Sequence, residues 1–138
     1  MTTFNNKASI HMVFSSIKRN LSSEDQLIIV DDYSIDGTWD ILNELFLEKY
    51  IFEFILIRNK RNFGLAKSLN KAINYVTKTY IARHDADDLN IDGRFEHQLK
   101  LLKNNKMIDL LSSSKISVKD IDYSDVPSLG NNIKGQIS

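Results

Sequence analysis

The feature that most constrains this chain is the run Leu27-Ile28-Ile29-Val30, followed at once by Asp31-Asp32. The run is wholly apolar and mostly β-branched, with no polar residue on alternate positions. Such a strand must be covered on both faces, which places helices on each side of a sheet. The abrupt change to two carboxylates marks its polar end.

The rest of the chain repeats the theme. Ile10, Val13, Phe14, Ile17 and Leu21 fall at helical spacing and predict a helix over residues 8–20. Trp39, Leu42, Leu45 and Phe46 predict a second helix reaching residue 50, and residues 52–57 a second strand. Gly64 opens a third helix with Leu65, Leu69, Ala72, Ile73 and Val76 on one face. Tyr80-Ile81-Ala82 predicts a third strand, Phe95, Leu99 and Leu102 a fourth helix, and residues 107–111 a further strand. This alternation predicts an α/β fold with a mostly parallel sheet flanked by helices, whose ligands bind outside the carboxyl ends of the strands.

Composition narrows the function classes. A chain of 138 residues makes one domain the default. Lys plus Arg and Asp plus Glu are equal at 18 each, so no overall field favours nucleic acid or an anionic membrane. The absence of Cys excludes disulfides, zinc-thiolate sites and thiol nucleophiles. No apolar run approaches the roughly 20 residues of a membrane span, and the first residues lack the order of a signal peptide. These features read as a soluble chain.

The chemistry concentrates at strand ends. Asp85, Asp87 and Asp88 crowd three carboxylates into four residues, an arrangement that a divalent cation would relieve. Hard oxygen ligands favour Mg2+ or Mn2+, which bridge a few carboxylates to substrate phosphates. The competing reading is a solvated acidic loop. Asp31 and Asp32, followed by Tyr33-Ser34-Ile35-Asp36-Gly37-Thr38, join a strand to a helix through a turn able to present a carboxylate to a base or ribose. The plainer alternative is capping of that helix by Asp36 or Thr38. Arg58, Lys60 and Arg61 precede a helix start, where anions are favoured, or else form a solvated basic loop. His84 is a backbone-satisfied strand-end residue or a donor behind the acidic cluster, while His11 and His97 belong to no constellation. No Ser-His-Asp order, Walker lysine loop or dinucleotide glycine cluster is present.

In order and spacing, these segments resemble the family 2 glycosyltransferases of GT-A fold, a Rossmann-like α/β architecture. Thr2-Thr3-Phe4-Asn5 is similar to the family's Thr-Tyr-Asn, and residues 27–38 resemble its IIVDDxSxDGT segment. Asn62-Phe63-Gly64-Leu65-Ala66 with Asn70 resembles NxGxAxxxN, Asp85-Ala86-Asp87-Asp88 resembles DADD, and Arg94-Phe95-Glu96-His97-Gln98 resembles RxExQ. The resemblance implies an inverting, metal-dependent transfer of a sugar from a nucleoside-diphosphate sugar, most commonly a UDP-sugar, to a saccharide or other hydroxyl acceptor. It points to synthesis of bacterial surface polysaccharide or glycan, at a cytoplasmic location or peripherally at the inner face of the membrane. It places Thr3, Phe4 and Asp31 or Asp32 at base and ribose, Gly64 and Lys67 beside the nucleotide, and Mn2+ or Mg2+ on Asp87 with Asp85 or Asp88.

The sequence departs from the family at both ends. The apolar first strand that precedes Thr-Tyr-Asn is expected to be missing, since Met1 occupies its last position. Residues 1–117 then form a partial nucleotide-sugar-binding domain, and 118–138 an irregular tail or the start of a missing acceptor-binding half. The catalytic base is expected in that missing half, because nothing around Asp120, Asp122 and Asp125 resembles the family's base region. One rival is a non-catalytic remnant of the family. A receiver-type phosphoacceptor domain is the remote one, since IIVDD also opens such domains, but a single acceptor Asp one strand later is lacking.

Overall fold

The predicted alternation folds as a parallel sheet. In the computed structural model, which describes residues 1–112, the elements are β1 (Thr2–Thr3), α1 (Ile10–Lys18), β2 (Gln26–Asp31), α2 (Thr38–Phe46), β3 (Glu53–Arg58), α3 (Leu65–Ile73) and α4 (Arg94–Asn104). The expected tail over 118–138, with Asp120, Asp122 and Asp125, lies outside the described residues. The chain divides into two compact units, Met1–Asn90 and the part from Ile91 onward.

Within the first unit the sheet order is β1-β2-β3, all parallel, with Gln26 opposite Glu53 through to Asp31 opposite Arg58. Successive side chains of β2 point to opposite faces, so its unbroken apolar run needs two covers. Ile28 and Val30 pack with Ala72 of α3, joined by Ile55, Ile57 and Val76. On the other face, α1 buries Ile10, Val13, Phe14 and Ile17, and α2 buries Leu42 and Leu45. An aromatic cluster fills this side, with the Phe14 ring 5.4 Å from both Tyr50 and Phe54. α2 stops at Phe46, short of the predicted residue 50. Tyr50 instead turns back, donates its hydroxyl to the Leu45 carbonyl at 2.8 Å and stacks on Phe52.

Three strand expectations are revised. The first strand is not wholly missing, because Thr2 and Thr3 pair with Val30 and Asp31. Tyr80-Ile81-Ala82 forms no strand: the only ladder contact of this segment among the described residues is the bridge from Thr2 to Asp85. β1 itself spans only Thr2–Thr3, so this segment gains a single bridge and no ladder. Its apolar side chains stay exposed, Ile81 at 63%. Residues 107–111 also form no strand. Asn105 instead organises a turn, accepting from the Met107 N–H through Oδ1 and from the Ile108 N–H through its carbonyl.

In the second unit, α4 starts after Gly93, whose φ of 80° is left-handed. Arg94 donates to Gln98 Oε1 at 3.2 Å along the helix and lies over the Phe95 ring.

Candidate functional site

Parallel strands bring their carboxyl ends to one edge, and there the loops after β1 and β2 are clasped together. Asn5 donates its N–H to Ser34 Oγ and accepts the Ile35 N–H through its side chain, at 2.9 and 3.0 Å. The Asn6 N–H reaches Thr38 Oγ1, and the Lys7 N–H reaches Asp36 Oδ2. Asp36 Oδ1 also accepts the Thr38 N–H at 2.9 Å, so the capping role expected for Asp36 is present alongside this tie. Burial pushes the Asp36 carboxyl up, but its hydrogen bonds with Thr38 and Lys7 outweigh that and hold it below its ordinary value. The clasp fixes the segment carrying Thr3 and Phe4. Thr3 is buried and donates its hydroxyl to Asn6 Oδ1, whereas the Phe4 ring is 45% exposed.

Asp32 holds the next loop. Its Oδ1 accepts the Asn59 amide at 2.7 Å and the Phe63 N–H at 2.9 Å, and its Oδ2 accepts the Gly64 N–H at 2.7 Å. Burial pushes this carboxyl up, yet the donors of Phe63, Asn59, Gly64 and Ser68 outweigh it and keep the group below its ordinary value. Asn59 is oriented in turn, donating to Ser68 Oγ at 2.8 Å and accepting from Lys71 Nζ at 2.9 Å. Gly64 adopts φ 85° and ψ 165°, a conformation essentially restricted to glycine, and so delivers its N–H to Asp32 while opening α3.

These loops and the segment after residue 82 line a cavity of about 450 Å³. Thr3, Phe4, Asp32, Gly64, Asp85 and Asp87 from the sequence reading all border it. Asp31, Lys67 and Asp88 do not. Asp31 is fully buried, where its Oδ2 meets Arg58 Nε at 3.3 Å and accepts the Ser34 N–H at 3.1 Å. Strand alternation explains the split, since Asp31 and Asp32 must face opposite sides of the sheet. Lys67 is exposed on α3. The Asp88 N–H closes a turn onto the Asp85 carbonyl.

The acidic cluster is not a ready cage. No group of three or more His, Cys, Asp or Glu among the described residues is disposed to hold a metal. Of the cluster, Asp87 and Asp85, the latter paired with Arg83 at 2.8 Å, border the cavity. That donor set suits a hard ion completing its shell with phosphate and water, not an all-protein site. His84 is buried and donates Nδ1–H to the Asp85 carbonyl at 2.8 Å, in line with the backbone-satisfied reading. The two arginines of the basic loop are held by protein contacts. Arg58 lies over the Trp39 and Tyr33 rings, and Arg61 over the Phe63 ring.

Sequence reasoning did not single out Asn59, Ser68 or Arg83. The first two carry no local signal, because only the fold brings them to Asp32. Arg83 stands beside the acidic cluster, but a lone arginine carries less sequence signal than the three cations at 58, 60 and 61.

The profile of the family described as Glycosyl transferase family 2 matches residues 1–132. EpsE of Bacillus subtilis (strain 168) is 34% identical over 108 residues, covering 78% of this chain and 37% of its own length. The Escherichia coli UDP-Glc:alpha-D-GlcNAc-diphosphoundecaprenol beta-1,3-glucosyltransferase WfaP is 28% identical over 107 residues, covering 78% and 41%. The chain therefore spans well under half the length of these relatives. Among solved structures, Staphylococcus aureus TarS in complex with UDP superposes with a TM-score of 0.64 at 20% identity, over 75% of this chain and 30% of that one. The family match covers the strand-end loops that build the cavity, and the chain belongs to glycosyl transferase family 2.

Proposed function

We propose that this chain is the donor-binding part of an inverting glycosyltransferase that takes a UDP-sugar and serves a bacterial surface polysaccharide or glycan. The observation that carries the reading is the cavity itself. One wall offers an exposed aromatic ring, Phe4, another a fixed carboxylate, Asp32, and the far rim Asp85 and Asp87. The E. coli relative is named for a UDP-glucose donor and the structural relative carries UDP, which supports a uridine nucleotide here.

In this reading the Phe4 face stacks the base, and the Thr3 to Gly64 wall receives the ribose. Asp85 and Asp87 would hold Mn2+ or Mg2+ against the diphosphate, with Asp88 in the turn behind. When bound, that ion supplies Lewis-acid neutralisation of the charge developing on the leaving diphosphate. An acceptor hydroxyl, on a saccharide or similar molecule, attacks the anomeric carbon as the bond to the diphosphate oxygen breaks. Its proton passes to a base that no described residue supplies. No helix of the described residues is long and apolar enough to cross a membrane.

Calorimetric titration of the full chain with UDP, with and without MnCl2, tests the reading. Saturable binding, strengthened by Mn2+ and deprived of that dependence by Asp87→Ala, is expected. No binding of UDP at millimolar concentration would sink it.

A further inference from the structure

A diphosphate brings negative charge into a cavity already bordered by the carboxylates of Asp32, Asp85 and Asp87. The sequence pointed to the loop cations for compensation, but the fold takes them away. Arg58 is tied to Asp31, to the Ser34 carbonyl at 2.8 Å and to two rings. Arg61 stacks on Phe63, Lys71 is bonded to Asn59, and neither Lys60 nor Lys67 borders the cavity. Among the described residues, Arg83 is the one basic side chain on the cavity wall.

Its placement is informative. The Arg83 guanidinium reaches Asp85 Oδ1 through one N–H at 2.8 Å, and the side chain is 58% exposed. An ion pair this exposed is weak and exchanges readily for a better acceptor. A phosphate group is such an acceptor, since the planar guanidinium meets two of its oxygens at once. The exchange also takes the Arg83 cation off Asp85, one of the two cluster carboxylates that border the cavity.

We infer that Arg83 is the diphosphate-contacting cation of this cavity, parked on Asp85 until a nucleoside diphosphate enters and takes over its guanidinium. This deepens, and rests on, the uridine-nucleotide reading above. It adds a contact made by the chain itself, independent of any metal.

The test compares UDP with uridine, which shares base and ribose but has no phosphate. The full chain, Arg83→Gln and Arg83→Lys are titrated with each compound in EDTA and again in MgCl2, and their melting temperatures are compared. Loss of one charge-assisted contact predicts UDP binding weakened about tenfold in Arg83→Gln. Uridine affinity stays unchanged, and Arg83→Lys falls between, because lysine keeps the charge without the planar fork. Unchanged or tighter UDP binding in Arg83→Gln overturns the inference. So does an equal loss for UDP and uridine, which would make Arg83 a shaper of the wall. A parent chain that binds neither compound removes the nucleotide reading and this inference with it, whereas a parent that binds both while Arg83→Gln matches it removes the inference alone.

Discussion

Replacing Asp32 by Asn removes one charge and leaves the shape nearly unchanged, so its cost reports directly on the carboxylate. Besides the Ser68 hydroxyl, the native group accepts Asn59 and Phe63 on Oδ1 and Gly64 on Oδ2. An amide has one oxygen. If that oxygen keeps Asn59 and Phe63, the new NH2 faces the Gly64 N–H, which retains only Asn62 Oδ1 at 3.0 Å. One charge-assisted bond is lost, the other two lose their ionic character, and a buried donor meets a donor. At 1.5–3 kcal/mol for a bond to a charged group, a total loss of about 3 kcal/mol is expected. That is a large share of the roughly 5–15 kcal/mol that stabilises a domain. Urea unfolding followed by circular dichroism measures it. The pH dependence supplies a second signature. Because the folded carboxyl lies below its ordinary value of 3.8, its stabilisation is fully present above that value and is lost as pH falls through the lower folded one. The gap between native and Asp32→Asn chains should be flat near neutrality and shrink only in acid below pH 3.8. A gap under about 0.5 kcal/mol at neutral pH, within the range of ordinary surface changes, would refute the reasoning. A gap that persists undiminished into acid would do so as well.

Two further predictions concern the same strand ends. Arg58→Met strands the buried Asp31 carboxylate with the Ser34 N–H and should cost about 3 kcal/mol in unfolding free energy, while adding Asp31→Asn should recover part of it; an additive or deeper loss in the double variant would contradict the pairing. Gly64→Ala should cost about 1–3 kcal/mol, even though an added Cβ meets nothing within 4 Å, because φ 85° with ψ 165° is strained for any L-residue; an unchanged unfolding midpoint would show that the loop relaxes freely.

What the sequence determined by itself is the local and periodic part. The apolar run at Leu27-Ile28-Ile29-Val30 dictated a strand covered on two faces, and the helical stripes of α1, α2 and α3 dictated what covers it. The order of the strand-end motifs was enough to resemble the right family. Tertiary structure decided which members of each motif reach the cavity. Asp32 is turned in and Asp31 out by the pleat of one strand. Lys67 is turned away on α3, and Arg58 is drawn onto rings and a carboxylate that lie far off in sequence. The strand predicted at Tyr80-Ile81-Ala82 does not form for a related reason, since a strand needs a paired neighbour and this segment makes only the bridge from Asp85 to Thr2. Periodicity and motif spacing are properties of neighbours along the chain, whereas pairing, burial of charge and the choice of the cavity's cation depend on contacts that only the folded chain brings together.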